Sequence, residues 1–280
     1  VTAQSGKDHW LQEGFATYYA LLAERSVFGD DYFYYSLYQN AEQLKNASKN
    51  DSIPVLNEKA SSLTFYQKGA WALHVLRENI GREKFNLAVK NYLHKYAFQN
   101  VVTDDFLAEI NQVSDFDTQN FKKVWLEQSE FPEAEANTLL LKNDFMKKFL
   151  KLKDQPLSIE KNQKEILKII KGKDYYPIKE LLLYQIAKEP FETKSKILAT
   201  AMQNKDLHVR QAVATSVNEI TESFRAQFET LLNDKSYTTQ EITLYKLWKQ
   251  FPEQRLKYID LSKNWVGFQS KNLKILNLSL

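Results

Sequence analysis

Long stretches of this chain contain neither glycine nor proline, which leaves the backbone few structures to choose from. Seven Gly and six Pro are spread over 280 residues. The stretches between them are rich in Leu, Lys, Glu, Gln and Ala, residues that favour helices. The sequence therefore predicts an all-α fold, with enough length for one large or two medium domains.

The segment Trp10–Tyr19 reads WLQEGFATYY. It places a charged residue, Glu13, at a position where a helical side chain is expected to be buried. Along a helix, Leu11, Phe15 and Tyr18 form an apolar stripe. Glu13 lies on a second stripe, whose other members are mostly small. Burying an unpaired carboxylate costs several kcal/mol, so Glu13 needs a cation, a hydrogen-bond network or a metal ion.

The phrase WLxEGFAxY closely resembles the WLNEGFA segment of the aminopeptidase N family of zinc metallopeptidases. In that family, the glutamate of this segment is the third zinc ligand and follows an HExxH helix, so the resemblance implies that Glu13 is a metal ligand. The family spacer would place HExxH before Val1. We therefore expect a C-terminal fragment that starts just after the HExxH helix. Gln12 departs from the family, which usually has Asn there.

A second segment, with the pattern YxKGA, resembles the second signature of the same family. Tyr66, Gly69, Ala70 and Leu73 share one helical face, where a polar tip again stands above small residues. The resemblance implies that Tyr66 is catalytic and donates a hydrogen bond to the oxyanion of the tetrahedral intermediate. The alternative is an ordinary half-buried tyrosine, one of fifteen in the chain.

Two residues before the first motif are further candidates. Asp8 matches an acidic position that often precedes WLNEGFA, which implies that it orients a zinc-bound histidine without touching the metal. His9 is one helical turn before Glu13, so a His9–Glu13 metal pair is geometrically conceivable, although the family has no ligand there. We favour Asp8 as the supporting residue.

A complete zinc site of the family type cannot be assembled from this chain. A catalytic zinc needs at least three protein ligands, and the four histidines show no HExxH or HxxEH spacing. The chain has no cysteine, which excludes disulfides and thiolate ligands. Zinc is therefore expected as the cofactor of the intact enzyme, with Glu13 as the one ligand present here.

The second half of the chain has a repeating character. Asp174, Asp206, Asp234 and Asp260 each precede a predicted helix at regular intervals, which fits a solenoid of helix pairs. The phrase around Asp206, DLHVRQA, is similar to one found in HEAT repeats. We predict the C-terminal half of a thermolysin-like peptidase domain over 1–132, a connection over 133–158 and a HEAT-like repeat domain over 159–280.

Charge and hydropathy narrow the possible partners. The 38 basic and 35 acidic residues are interspersed and give a net charge of only +3, so nucleic-acid binding is not indicated. No run is long and apolar enough to cross a bilayer, so the segment is expected to be soluble, with any signal peptide upstream. The resemblance implies peptides with a free N-terminus as substrates, and the upstream part of the same polypeptide as a partner.

The sequence thus supports two functional hypotheses. The first is the C-terminal part of a zinc-dependent aminopeptidase, inactive by itself without the upstream HExxH. The second is a non-catalytic helical-repeat scaffold for protein interactions, suggested by the repeats and the missing histidine ligands. An HExxH motif encoded upstream of Val1 would favour the enzyme.

Overall fold

Helices provide nearly all of the regular structure, which confirms the predicted all-α class. The computed structural model describes all 280 residues. They divide into two compact units, unit 1 from Val1 to Lys147 and unit 2 from Lys148 to Leu280. No helix combines the length and hydrophobicity that crossing a bilayer requires.

Unit 1 is built from seven helices, the first turns of an eighth and one minimal strand pair. The strands β1 (Thr2–Ala3) and β2 (Asn100–Val101) run parallel. The helices are α1 (Trp10–Phe28), α2 (Asp30–Ala47), α3 (Gly69–Ile80), α4 (Arg82–Lys95), α5 (Thr103–Val113), α6 (Thr118–Phe121), α7 (Glu133–Leu140) and α8 (Asp144–Asp154). Two π-helical turns, Thr64–Lys68 and Lys122–Glu127, precede α3 and follow α6.

Helix α1 is the centre of unit 1, since it packs against α2, α3 and the π-helical turn before α3. Its buried residues include Trp10 and Tyr18, both fully inaccessible to solvent. The indole N–H of Trp10 donates to Thr103 Oγ1 at 2.9 Å, and that of Trp71 donates to the Leu37 carbonyl at 3.2 Å. Buried indoles thus keep hydrogen-bond partners while supplying large apolar surfaces.

Unit 2 continues as a succession of short helices. They are α9 (Ile159–Lys171), α10 (Tyr176–Gln185), α11 (Phe191–Met202), α12 (Leu207–Ser216), α13 (Glu222–Glu229), α14 (Tyr237–Gln250), α15 (Arg255–Ser262) and α16 (Asn272–Ser279). Alternate helices pack together, α9 with α11, α10 with α12 and α12 with α14. Such packing is typical of stacked helix pairs, and the HEAT-like assignment stays a prediction.

Three of the four aspartates predicted to precede helices do so. Asp206 caps α12 by accepting from the His208 backbone N–H at 2.9 Å, and Asp234 accepts from Ser236 N at 2.8 Å just before α14. Asp174 lies shortly before α10. The prediction for Asp260 is wrong, because this residue lies inside α15.

The region 133–158, predicted as a connection, is mostly helical, since it contains both α7 and α8. A short apolar run such as residues 139–141 is compatible with a strand as well as with a helix. In the structure, Leu139 and Leu140 are buried in α7.

Candidate active site

Glu13 lies in the first turn of α1 and is half-buried. Its backbone is held by the helix: its N–H donates to the His9 carbonyl at 3.0 Å, and its carbonyl accepts from Thr17 Oγ1 at 2.7 Å. No lysine, arginine or histidine forms an ion pair with its carboxylate. The charge that the sequence marked as unusual therefore has no cationic side chain as partner.

Tyr66 lies on the π-helical turn Thr64–Lys68, and its side chain is 42% exposed. The hydroxyl of Ser61 accepts from Thr64 N at 3.2 Å, so a serine caps this segment, as the sequence predicts. A π-helical turn widens the helix by one residue and often occurs at functional sites. Here it presents the phenol to solvent, while the neighbouring Phe65 and Lys68 are buried.

A contact between two glycines brings the two motifs together. A Cβ placed on Gly14 would lie 2.8 Å from the carbonyl carbon of Gly69, and one placed on Gly69 would lie 3.0 Å from Gly14 Cα. Both distances are shorter than side-chain carbons tolerate, so the two backbones touch only because neither residue has a Cβ. Gly14 follows Glu13 directly, and Gly69 comes three residues after Tyr66.

The consequence of this contact is that the Tyr66 phenol and the Glu13 carboxylate are neighbours. The hydrogen bond between them, together with the negative charge of the carboxylate, raises the pKa of Tyr66 above its ordinary value. The phenol therefore keeps its proton at neutral pH and can act as a donor. Glu13 and Tyr66 thus form one polar pair, although they are 53 positions apart in the sequence.

Lys68, the lysine of YxKGA, is only 2% exposed, and the sequence analysis did not single it out. Its Nζ donates to the carbonyls of Gln128 at 2.6 Å, Ser129 at 3.2 Å and Glu130 at 2.9 Å. Burial lowers its pKa to about 8. The sequence signal for a buried Lys68 is its position directly before the small residues Gly69 and Ala70. A buried ammonium group needs several hydrogen-bond acceptors, which the three carbonyls supply.

Asp8 is 2% exposed and is fully occupied by hydrogen bonds. Its Oδ1 accepts from both the backbone N–H and the hydroxyl of Thr103, each at 2.9 Å, and its Oδ2 accepts from Ser5 Oγ at 2.9 Å. Asp8 therefore caps the N-terminus of α5, a task that the sequence alone would assign to Thr103. Its predicted role in orienting a zinc-bound histidine stays a prediction.

The histidines contribute little to a metal site within this chain. The His9 ring packs edge-on against Phe65, with 5.8 Å between ring centroids. His74 is fully buried, and burial lowers its pKa to about 3, so it is neutral. No group of three or more His, Cys, Asp or Glu side chains is arranged to hold a metal ion. Glu13 is thus the single candidate zinc ligand that these residues supply, and a half-buried carboxylate without a cationic partner is suited to that role.

A polar cavity of about 360 Å³ lies beside α1, further along the helix than Glu13. Thr17, Ala20 and Glu24 line it from α1, on the face that also carries Glu13. Gln67, next to Tyr66, lines it too, and its Oε1 is buried without a hydrogen-bond partner. Amide and hydroxyl side chains therefore form most of the walls of this cavity.

Comparison with known proteins agrees with this assembly. Residues 1–125 match the peptidase family M1 domain. Aminopeptidase M1-D of Oryza sativa subsp. japonica is 32% identical over 141 residues, which are 47% of this chain and 16% of that protein. Glutamyl aminopeptidase of Bos taurus is 29% identical over 160 residues, 54% of this chain and 16% of that protein. Aminopeptidase N of Lactococcus lactis subsp. lactis is 25% identical over 152 residues, 50% of this chain and 18% of that protein.

These alignments span only about a sixth of the length of the relatives. No solved structure matches the chain significantly. The matched segment contains Glu13, the Gly14–Gly69 contact and Tyr66, so the geometry described above lies wholly within it. Through this segment, residues 1–125, the chain is similar to the peptidase family M1 domain and to the aminopeptidases named above.

Proposed function

We propose that this chain is part of a zinc-dependent aminopeptidase that hydrolyses the N-terminal peptide bond of peptides. The single observation that carries the proposal is the pairing of the Glu13 carboxylate with the Tyr66 phenol across the glycine contact. Glu13 would be one zinc ligand, and the two histidine ligands would come from an HExxH helix upstream. By itself the 280-residue chain would then be inactive, because it supplies one ligand of three.

Tyr66 would stabilise the transition state of this reaction. Zinc, when bound, lowers the pKa of its water and polarises the scissile carbonyl. The Tyr66 hydroxyl would donate a hydrogen bond to the carbonyl oxygen as negative charge develops on it. A phenol is protonated at neutral pH, and the exposure of the Tyr66 side chain leaves it accessible to substrate.

The polar cavity beside α1 would receive the part of the peptide that follows the scissile bond. Thr17 and Glu24 line it, on the helical face that also carries Glu13. Its side-chain amides can donate to and accept from peptide groups, and the free Oε1 of Gln67 is suited to accept a substrate N–H. We therefore expect peptides rather than isolated amino-acid amides to use this space.

The test is substitution of Tyr66→Phe in the full-length protein that carries this chain. We expect zinc content to be retained and turnover of an aminoacyl anilide to fall roughly a hundredfold or more, because one oxyanion donor is lost. Tyr19→Phe is the matched control, since Tyr19 is 41% exposed in the same unit. Unchanged turnover in Tyr66→Phe would remove this residue from the mechanism.

The 280-residue chain and the full-length protein should also be compared side by side. We expect stoichiometric zinc and anilide hydrolysis only in the full-length protein. If the full-length protein contained no zinc and did not hydrolyse the anilide, the scaffold hypothesis would be favoured instead.

A further inference from the structure

A second cleft, of about 990 Å³, opens in unit 1 beside the C-terminal half of α1. Tyr19 and Leu22 line this cleft from α1. Neither Glu13 nor Tyr66 lines the cleft. Three guanidinium groups and two carboxylates line the cleft: Arg25, Arg77, Arg82, Asp30 and Glu78. The balance of charge inside it is therefore positive.

Both carboxylates of the cleft already have basic partners. Asp30 accepts from Arg25 Nε at 2.7 Å, and this hydrogen bond lowers the pKa of Asp30. Glu78 accepts from Lys142 Nζ at 2.8 Å. Burial alone would raise the pKa of Glu78, but Lys142 and the other nearby positive charges lower it overall. Neither carboxylate forms an ion pair with Arg77 or Arg82, the other two guanidinium groups of the cleft.

Arg77 has an incompletely satisfied guanidinium. It hydrogen-bonds the Tyr18 phenol, whose oxygen also lies 3.3 Å from Nδ1 of the neutral His74. Its Nε is buried and has no hydrogen-bond partner. A buried donor without an acceptor is unfavourable, and it is more so in a charged group. Arg77 also lines the cleft, so the rest of its guanidinium is placed to bind an acceptor there.

The N-terminus of α4 adds a second source of positive potential. The helix is capped by Gly81, which has a φ of 85° and no side chain to accept from the first N–H groups. Gly81, Arg82 and Asn86 line the cleft. Glu83, in the first turn of α4, is exposed and does not line it. The free N–H groups and the helix dipole both favour an anion there.

We propose that this cleft is a binding site for a small oxyanion of the phosphate class, held by Arg77, Arg82 and the N-terminus of α4. A guanidinium offers a planar fork of N–H donors that matches phosphate oxygens, and a helix N-terminus adds backbone donors. The cleft has room for a phosphate attached to a larger molecule. The site is separate from the Glu13–Tyr66 pair and does not depend on the proposed peptidase function.

The experiment is calorimetric titration of the 280-residue chain with inorganic phosphate at constant ionic strength. We expect saturable binding of one phosphate in the millimolar range or tighter. Arg77→Gln should weaken it by about tenfold or more, since hydrogen bonds to charged groups are lost. Arg82→Gln should weaken it in the same direction. The matched control is Lys84→Gln, which removes one exposed charge from α4 outside the cleft and should leave affinity within about twofold.

Three outcomes would overturn the proposal. One is the absence of saturable phosphate binding, and another is equal weakening by Lys84→Gln, which would mean non-specific attraction to a basic surface. The third is acetate binding more tightly than phosphate, which would assign the cleft to a carboxylate. Circular dichroism checks that each variant folds. If Arg77→Gln does not fold, the exposed Arg82→Gln decides, together with Arg77→Lys, which keeps the charge but loses the fork.

Discussion

Each unit is stabilised internally by polar contacts, and the sequence separation of the contacting residues differs between the two units. In unit 1, Asp8 binds Thr103 across 95 positions, and Lys68 binds the carbonyls of residues 128–130 across 60 to 62. In unit 2, the corresponding contacts join successive helices: Arg210 with Asp234 across 24 positions, and Lys246 with the end of α12 across 29 to 32.

Similar chemistry therefore serves two kinds of architecture. Lys68 and Lys246 both donate to three carbonyls, and burial lowers the pKa of each to about 8. Contacts between residues distant in sequence make the unfolding of a whole unit cooperative, and in unit 1 that unit contains the Glu13–Tyr66 pair. Contacts between neighbours make stability a sum of local terms, as in repeat proteins.

The sharpest test of this difference is Asp8→Ala. Removing the carboxylate leaves the backbone N–H and hydroxyl of Thr103 and the hydroxyl of Ser5 without acceptors in a buried place. We expect the free energy of unfolding of unit 1 to fall by about 3 kcal/mol. Hydrogen exchange by mass spectrometry would measure it for each unit separately. Loss confined to the first turn of α5 would contradict a cooperative unit 1.

A second test uses the pH dependence of unit 1. The folded-state pKa of Lys68 is about 8, below its ordinary value of 10.5, so the unfolded chain binds more protons between these values. The penalty from the charged amine is full below pH 8 and is relieved as pH rises. We expect unit 1 to gain about 1 kcal/mol between pH 8 and about 9.5. In Lys68→Met this gain should disappear, and the same gain in both proteins would exclude Lys68 as its source.

The smallest effect is expected for Asp206→Ala in unit 2. Asp206 also caps a helix, but its side chain is 37% exposed and its acceptor role is limited to the adjacent His208. We expect a loss of about 0.5–1 kcal/mol, confined to α12 and its neighbours. Hydrogen exchange is again the measurement, with Asp260→Ala, inside α15, as the comparison. A loss spread over all of unit 2 would show that it is as cooperative as unit 1.

Local sequence rules predicted individual helices better than the partners of their ends. Helix α1 begins at Trp10 and α2 at Asp30, where apolar periodicity and a helix-breaking glycine mark such starts within the local sequence. The end of α1 is set by Gly29, whose φ of 90° favours glycine. Thr103 was expected to cap α5, yet the acceptor is Asp8, since residues distant in sequence compete for the same N–H.

The candidate site was predicted in part. Glu13 and Tyr66 were both named from their motifs, and the structure places them side by side. The buried role of Lys68 was missed, because its acceptors are backbone carbonyls of a distant segment that no side-chain pattern marks. The roles of Glu13 as zinc ligand and Tyr66 as catalytic donor remain predictions.

The sequence by itself determined the helical class and the presence of a carboxylate on a helical face of mostly small residues. These follow from interactions within a few turns, which the order of residues specifies directly. Only the tertiary structure decided which groups meet: Gly14 with Gly69, Asp8 with Thr103, and Arg77 with an open cleft. Such meetings depend on how whole helices cross, and close packing fixes that crossing through all of their contacts together.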